Sequence, residues 1–258
     1  MTPSSCEVAG SGEPLLLLHG ALVSRAMWQP QIAPFSREYQ MIACDLPAHG
    51  ETPDVAGEYS IAKLSEYGIH LLDAIGVDRA HVCGHSMGGM VAQHLAVTHP
   101  ERVRKLVLAE TALGTRNTLW ERIQTSFAKV FLKLTSQETL VNLSARQYGS
   151  LNPHVGAFVR HEMERFDRRT SVRVMSAAFG FSGKSRLKDI VAPTLVLVAA
   201  ENKQTHAQGR ELAERIPHAR LEILPRSHHL LNLDNPDAFN AAVLNFLREQ
   251  GADRKPAA

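Results

Sequence analysis

Residues 81–97 read His81-Val82-Cys83-Gly84-His85-Ser86-Met87-Gly88-Gly89-Met90-Val91-Ala92-Gln93-His94-Leu95-Ala96-Val97. An apolar run, His81 to Cys83, has the character of a strand, and Met90 to Val97 has the character of a helix. Between them Gly84-His85-Ser86-Met87-Gly88 spells G-x-S-x-G. A strand-to-helix turn this tight brings backbones so close that only small residues fit on either side of the serine, which is left presented at the carboxyl edge of a sheet. With seventeen glycines and seventeen serines in 258 residues, chance supplies roughly 0.07 such matches, before the strand and helix are required as well.

Outward from this turn, short runs rich in Val, Leu and Ile alternate with helical segments. The strands read as Leu15 to Leu18, Met41 to Cys44, His81 to Cys83, Lys105 to Ala109, Thr194 to Val198 and Leu221 to Leu224. This alternation is the signature of a doubly wound, mostly parallel α/β sheet with helices on both faces. Ser60 caps a helix whose apolar face is Ile61, Leu64, Leu71, Leu72 and Ile75. Asn235 caps a last helix that Pro236 opens, with Phe239, Ala242, Val243, Phe246 and Leu247 on one face and Gly251 at its end. The tail Ala252 to Ala258 is expected to fray. From Gly114 to Lys188 the alternation stops. Ile123, Phe127, Val130, Phe131 and Leu134 indicate helices there, so residues 1–113 and 189–258 are expected to form a core and residues 114–188 a helical cap.

Composition excludes several classes. Hydrophobic residues make up 44% and charged residues 21%, which is ordinary for a globular chain. No apolar run approaches the roughly 20 residues of a membrane-spanning helix, and Met1 to Ser11 lack a secretory leader's pattern, so no membrane association and a cytoplasmic location are expected. Cys6, Cys44 and Cys83 are expected to form no disulfide framework, and Cys44 and Cys83, inside apolar runs, to serve as small apolar residues. The net charge of +2 hides a basic segment, because residues 114–188 carry thirteen Lys+Arg against five Asp+Glu. No nucleic-acid reading motif accompanies it, which leaves a small anionic partner as the milder inference.

His19-Gly20-Ala21 closes the first strong strand at the same sheet edge as Ser86. The N–H groups of Ala21 and Met87 are placed to form an oxyanion hole, fixed dipoles that stabilise charge developing on a carbonyl oxygen. With these pieces in place, from about Val8 to Leu247, the chain resembles the α/β-hydrolase family. The similar segments are His19-Gly20, Asp45-Leu46-Pro47-Ala48-His49-Gly50, Gly84-His85-Ser86-Met87-Gly88-Gly89, Pro193-Thr194-Leu195-Val196, and Pro225-Arg226-Ser227-His228-His229 with Asn232-Leu233-Asp234-Asn235-Pro236. The resemblance implies a triad in the order nucleophile, acid, histidine. It also implies that the insert shapes the substrate pocket. At the amino end little remains of the family's usual first strand, so that edge of the sheet is expected to be shortened.

Family spacing sets the catalytic histidine four residues after one proline and seven before another, and Pro225 and Pro236 both select His229 over His228. The acid departs from the pattern, because the position that usually holds aspartate, nine residues past Pro193, is Asn202. Glu201 is adjacent. Glu110, at the end of the strand Lys105 to Ala109, is the preferred acid. Some α/β-hydrolases, among them haloalkane dehalogenases that this chain resembles at that strand end, carry the acid there. Trp28, in the loop beyond Ala21, is a candidate for contact with substrate.

Other signals carry little. The His228-His229 pair lacks the carboxylate spacing of a metal site, and Gly183-Lys184-Ser185 lacks the strand and the earlier glycine of a phosphate loop. The expectation is therefore a serine hydrolase without metal or cofactor, acting on a small carboxylic ester or lactone. The alternatives are hydrolysis of a carbon–carbon bond by the same triad, or a ligand-binding protein that kept the pocket and lost catalysis.

Overall fold

Every leucine of Leu15 to Leu18 is fully buried, and alternate members enter different cores. Leu16 and Leu18 point to one face of the sheet, Leu15 and Leu17 to the other, as the two-residue period of a strand requires. That double burial makes the strand read as a continuous apolar run. The computed structural model describes residues 5–54, 57, 59–114 and 119–249. Gly251 and the tail Ala252 to Ala258 lie outside the described residues.

Among the described residues seven strands form one sheet: β1 (Cys6–Ala9), β2 (Glu13–Leu18), β3 (Tyr39–Cys44), β4 (Ala80–His85), β5 (Val103–Ala109), β6 (Thr194–Ala199) and β7 (Ala219–Leu224). Their order is β1-β3-β2-β4-β5-β6-β7, with β1 antiparallel to β3 and every other pairing parallel. Against one face pack α2 (Ile61–Ile75), α3 (Met87–Thr98) and α8 (Lys203–Arg215), through Leu64, Leu72, Val91, Leu95 and Leu212. The other face is covered by α1 (Gln29–Phe35) and α10 (Pro236–Arg248), through Phe35, Phe239 and Val243. Ser60 caps α2 by accepting the Lys63 N–H, and Asn235 caps α10 by accepting that of Ala238. A short helix, α9 (Leu231–Asp234), precedes α10.

Among the described residues four α-helices stand between β5 and β6: α4 (Leu119–Leu134), α5 (Gln137–Tyr148), α6 (Pro153–Glu164) and α7 (Arg168–Ala178). On α4 the stripe Ile123, Phe127, Val130, Phe131 and Leu134 is exposed, while Thr125 and Leu132 are buried. The close packing of α5 on α6 rests on two glycines, since a Cβ on Gly149 would lie 2.8 Å from the Gly156 Cα. Among the described residues no helix is long and apolar enough to cross a membrane.

Two expectations change. The amino-terminal edge carries the four-residue strand β1, half-buried along its length, where no strand was read. Its pairing sets Cys6 opposite Cys44, and the two form a disulfide. Only Cys83 remains a free, buried thiol. The expectation of three unbridged cysteines failed because β1 is too short and too little buried to show an apolar pattern, so the partner of Cys44 could not be recognised.

Candidate active site

β4 ends at His85, and Ser86 follows in a strained conformation, φ 52° and ψ −116°, before α3 begins at Met87. Such a backbone is sparsely populated by residues with a side chain, and it persists because its surroundings determine it. The Ser86 N–H donates to the Ala109 carbonyl (2.9 Å), and Thr111 Oγ1 donates to the Ser86 carbonyl (2.7 Å). The glycines are enforced by contact. A Cβ on Gly84 would meet the Gly88 carbonyl oxygen at 2.3 Å, and one on Gly88 would meet that of Leu18 at 2.2 Å.

The three residues singled out as nucleophile, base and acid come together. Ser86 Oγ lies 3.2 Å from His229 Nε2, and His229 Nδ1 lies 3.2 Å from Glu110 Oε2. Glu110 is buried, at the end of β5, with a left-handed φ of 47° that turns the chain out of the strand. Its Oε1 accepts from the Ala199 N–H (2.7 Å) and Thr205 Oγ1 (2.9 Å), and its Oε2 accepts from Asn202 Nδ2 (2.6 Å). Burial pushes the carboxyl pKa up. The hydrogen bond and charge of His229, with donation from Ala199 and Asn202, outweigh this and hold it below the usual carboxylate value. Asn202 thus supports Glu110, and the two share one carboxylate site. Glu201 does not join it, although its backbone N–H anchors the histidine loop through the Ser227 carbonyl (3.1 Å).

His229 is held at more points than the sequence indicated. The His85 ring donates from Nε2 to the His229 carbonyl oxygen (2.7 Å), and the two rings meet edge to face at 5.0 Å. Burial depresses the His85 pKa to about 3, so it is neutral. Next door, the His228 N–H donates to Asp234 Oδ2 (2.7 Å), which fixes the loop. Tyr148, from the end of α5, stacks on the His229 ring with centroids 5.3 Å apart and planes at 22°. Sequence reasoning missed His85, Thr205 and Tyr148. The first occupies the variable place of G-x-S-x-G, and nothing in the local pattern of the other two signals proximity to Ser86.

Ala21 sits in a loop braced by two more buried histidines. His19 donates from Nδ1 to the Gly20 carbonyl (2.8 Å) and accepts the Leu46 N–H at Nε2 (2.9 Å). His49 accepts the Leu22 N–H at Nε2 (3.1 Å) and donates from Nδ1 to the Pro47 carbonyl (2.9 Å). Each must be neutral to accept. Burial lowers their pKa values, to about 4 for His19 and about 3 for His49. Met87 is the first residue of α3, where N–H groups lack an intrahelical acceptor. Among the described residues neither the Ala21 nor the Met87 N–H is matched to a protein acceptor. Both are free to receive an oxyanion.

Trp28 requires correction as a substrate contact. It is fully buried and packs 6.0 Å from Phe239 in the core beneath α10. Among the described residues no cluster of three or more His, Cys, Asp or Glu side chains could hold a metal ion.

A family profile described as alpha/beta hydrolase family matches residues 15–242. The chain is 30% identical over 234 residues to 3-oxoadipate enol-lactonase 2 of Acinetobacter baylyi, covering 89% of this chain and 87% of that one. It is 28% identical to 2-hydroxymuconate semialdehyde hydrolase of Pseudomonas putida, covering 94% and 90%. Its structure superimposes on the enol-lactonase from Burkholderia xenovorans with a TM-score of 0.84 at 26% identity, covering 95% and 96%.

Proposed function

Because the chain belongs to the alpha/beta hydrolase family, we propose that it is a serine hydrolase cleaving a small carboxylic ester or lactone through an acyl-enzyme. The observation that carries this reading is the unbroken contact from Ser86 Oγ through the imidazole of His229 to the Glu110 carboxylate. The likeness to two enol-lactonases supports the lactone half of the substrate class. In this reading residues 114–188 form the cap over a core of residues 1–113 and 189–258. Tyr148 lying against His229 supports that assignment.

Ser86 Oγ attacks the substrate carbonyl while His229 Nε2 takes the hydroxyl proton. His229 Nδ1–H stays bonded to Glu110, whose negative charge stabilises the imidazolium. The carbonyl oxygen becomes an alkoxide facing the Ala21 and Met87 N–H groups, fixed donors that need no reorganisation when charge develops. Collapse expels the alkoxide leaving group, which takes the proton from Nε2 and leaves an acyl-Ser86. For a lactone the leaving oxygen stays tethered to the acyl chain. Water then repeats the sequence, giving its proton to Nε2 and releasing the acid. Protons and electrons balance with water alone, so the reaction needs no cofactor.

Anionic substrates are the favoured subset, on the charge excess of residues 114–188. Part of that excess is already paired, Arg173 with Asp54, Lys184 with Glu211 and Arg186 with Asp189. The test is a panel of carboxylated and neutral esters and lactones, assayed at two ionic strengths with wild type and Ser86→Ala. Hydrolysis by the wild type alone is expected, with salt weakening turnover of the carboxylated members. A Ser86→Ala variant retaining more than about a hundredth of wild-type turnover would refute the nucleophile assignment. Equal, salt-independent kcat/KM for charged and neutral members would remove the anionic preference.

A further inference from the structure

We infer that Tyr148 is a positioning residue for His229, an inference that rests on the serine-hydrolase reading. The imidazole must present Nε2 to Ser86 and Nδ1 to Glu110 at once, and its ring swings about a broad side-chain torsion. Glu110 restrains one nitrogen, and His85 holds the main chain of His229 and meets its ring edge to face, which leaves the flat face of the imidazole to be held. The ring face is restrained by Tyr148, stacked at 5.3 Å with planes 22° apart. The same contact covers one face of the imidazole.

Tyr148 is held firmly enough for this work. It is the last residue of α5, half-buried against the main core cluster, and Gly149 follows it. That glycine lies against Gly156 of α6, so that a Cβ at either position would come within 3 Å of the other helix's backbone. The position of the stacked ring is therefore set by the α5–α6 contact, within the helical segment outside the sheet. Burial pushes the Tyr148 phenol pKa up, with the Glu110 charge adding to it, so the ring is a neutral phenol whose aromatic face makes the contact. The geometry assigns the role to the ring and not to the hydroxyl.

The test measures the rate at which a fluorophosphonate probe labels Ser86, together with kcat and KM on an ester that the wild type hydrolyses. Tyr148→Phe is expected to match wild type within about twofold. Tyr148→Leu, which fills the space without a stacking face, and Tyr148→Ala are expected to slow labelling and kcat by roughly three- to tenfold, the scale of one aromatic pair, while KM moves less than about twofold. Melting curves on each variant show that it is folded, and the Leu variant keeps the test decisive if Ala is unstable. Wild-type rates in Tyr148→Leu would overturn the inference, as would a Phe variant as slow as Leu, or a loss confined to KM. Failure of the wild type itself to label would instead overturn the serine-hydrolase reading on which the inference stands.

Discussion

Asn202 occupies the place where the family usually has aspartate, and its amide donates to the carboxylate that arrives from the neighbouring strand. Glutamate is long enough to reach His229 from the end of β5, and the vacated position supplies a donor where it would otherwise bring a second negative charge. Asn202→Ala should therefore lower kcat by about tenfold or less, because Asn202 acts on His229 only through Glu110, whose carboxylate keeps the Ala199 and Thr205 donors. Asn202→Asp, which restores the common residue, should be worse and not better at neutral pH. It would bring a second carboxyl to the 2.6 Å contact with Glu110, and two carboxylates this close cannot both ionise without cost. Steady-state kinetics on the two variants check the ranking. Wild-type activity in Asn202→Asp would mean that the aspartate can replace Glu110, and that the shift of the acid by one strand is a matter of history and not of charge.

The elbow between β4 and α3 is the element on which the site depends. Gly88→Ala should lower the melting temperature sharply or prevent folding, because its Cβ would sit 2.2 Å from a backbone oxygen of β2 that has no freedom to retreat. A folded, fully active Gly88→Ala protein, judged by thermal melts and turnover, would contradict the packing described. This turn was legible in the sequence because its constraint is local: strand, glycines and helix follow one another within seventeen residues. The buried strands were legible for a similar reason, since burial on both faces leaves an uninterrupted apolar run, as in Leu15 to Leu18. Less legible were features assembled from distant segments. β1 is a four-residue edge strand with half-buried side chains, so nothing in its pattern announced it or the Cys6–Cys44 pairing it creates. Trp28 read as a pocket residue from its place after Ala21, yet only the tertiary path shows it turning toward Phe239. The place of Glu110 beside His229 was legible because strand order brings β5 beside β4, whereas that of Tyr148 depends on how the inserted helices lie, which no spacing encodes.

For the whole molecule, three buried neutral histidines couple the loops around the site to acid stability. The pKa values of His19, His49 and His85 are depressed by burial from the ordinary 6.5, to about 4, about 3 and about 3. Between these values and 6.5 the unfolded chain binds more protons than the folded one, so stability rises with pH. It is complete above about 6.5 and is lost as pH falls from there toward the folded values. Glu110, with its carboxyl held below the usual value, adds loss of the same sign at the acid end. Unfolding near pH 5 should accordingly take up about two to three protons, visible as a melting temperature that drops steeply from pH 7 to pH 5. A melting temperature flat across that interval would mean that these histidines are not buried and neutral. The central claim is that Ser86, His229 and Glu110 act as one chain of proton transfer and charge, and Glu110→Gln tests it most directly. The measurement is kcat for ester or lactone hydrolysis by Glu110→Gln beside wild type, with melting curves matched. A fall of about a thousandfold or more is predicted, in line with the loss of the orienting carboxylate in a serine triad. A Glu110→Gln enzyme with wild-type kcat would contradict it.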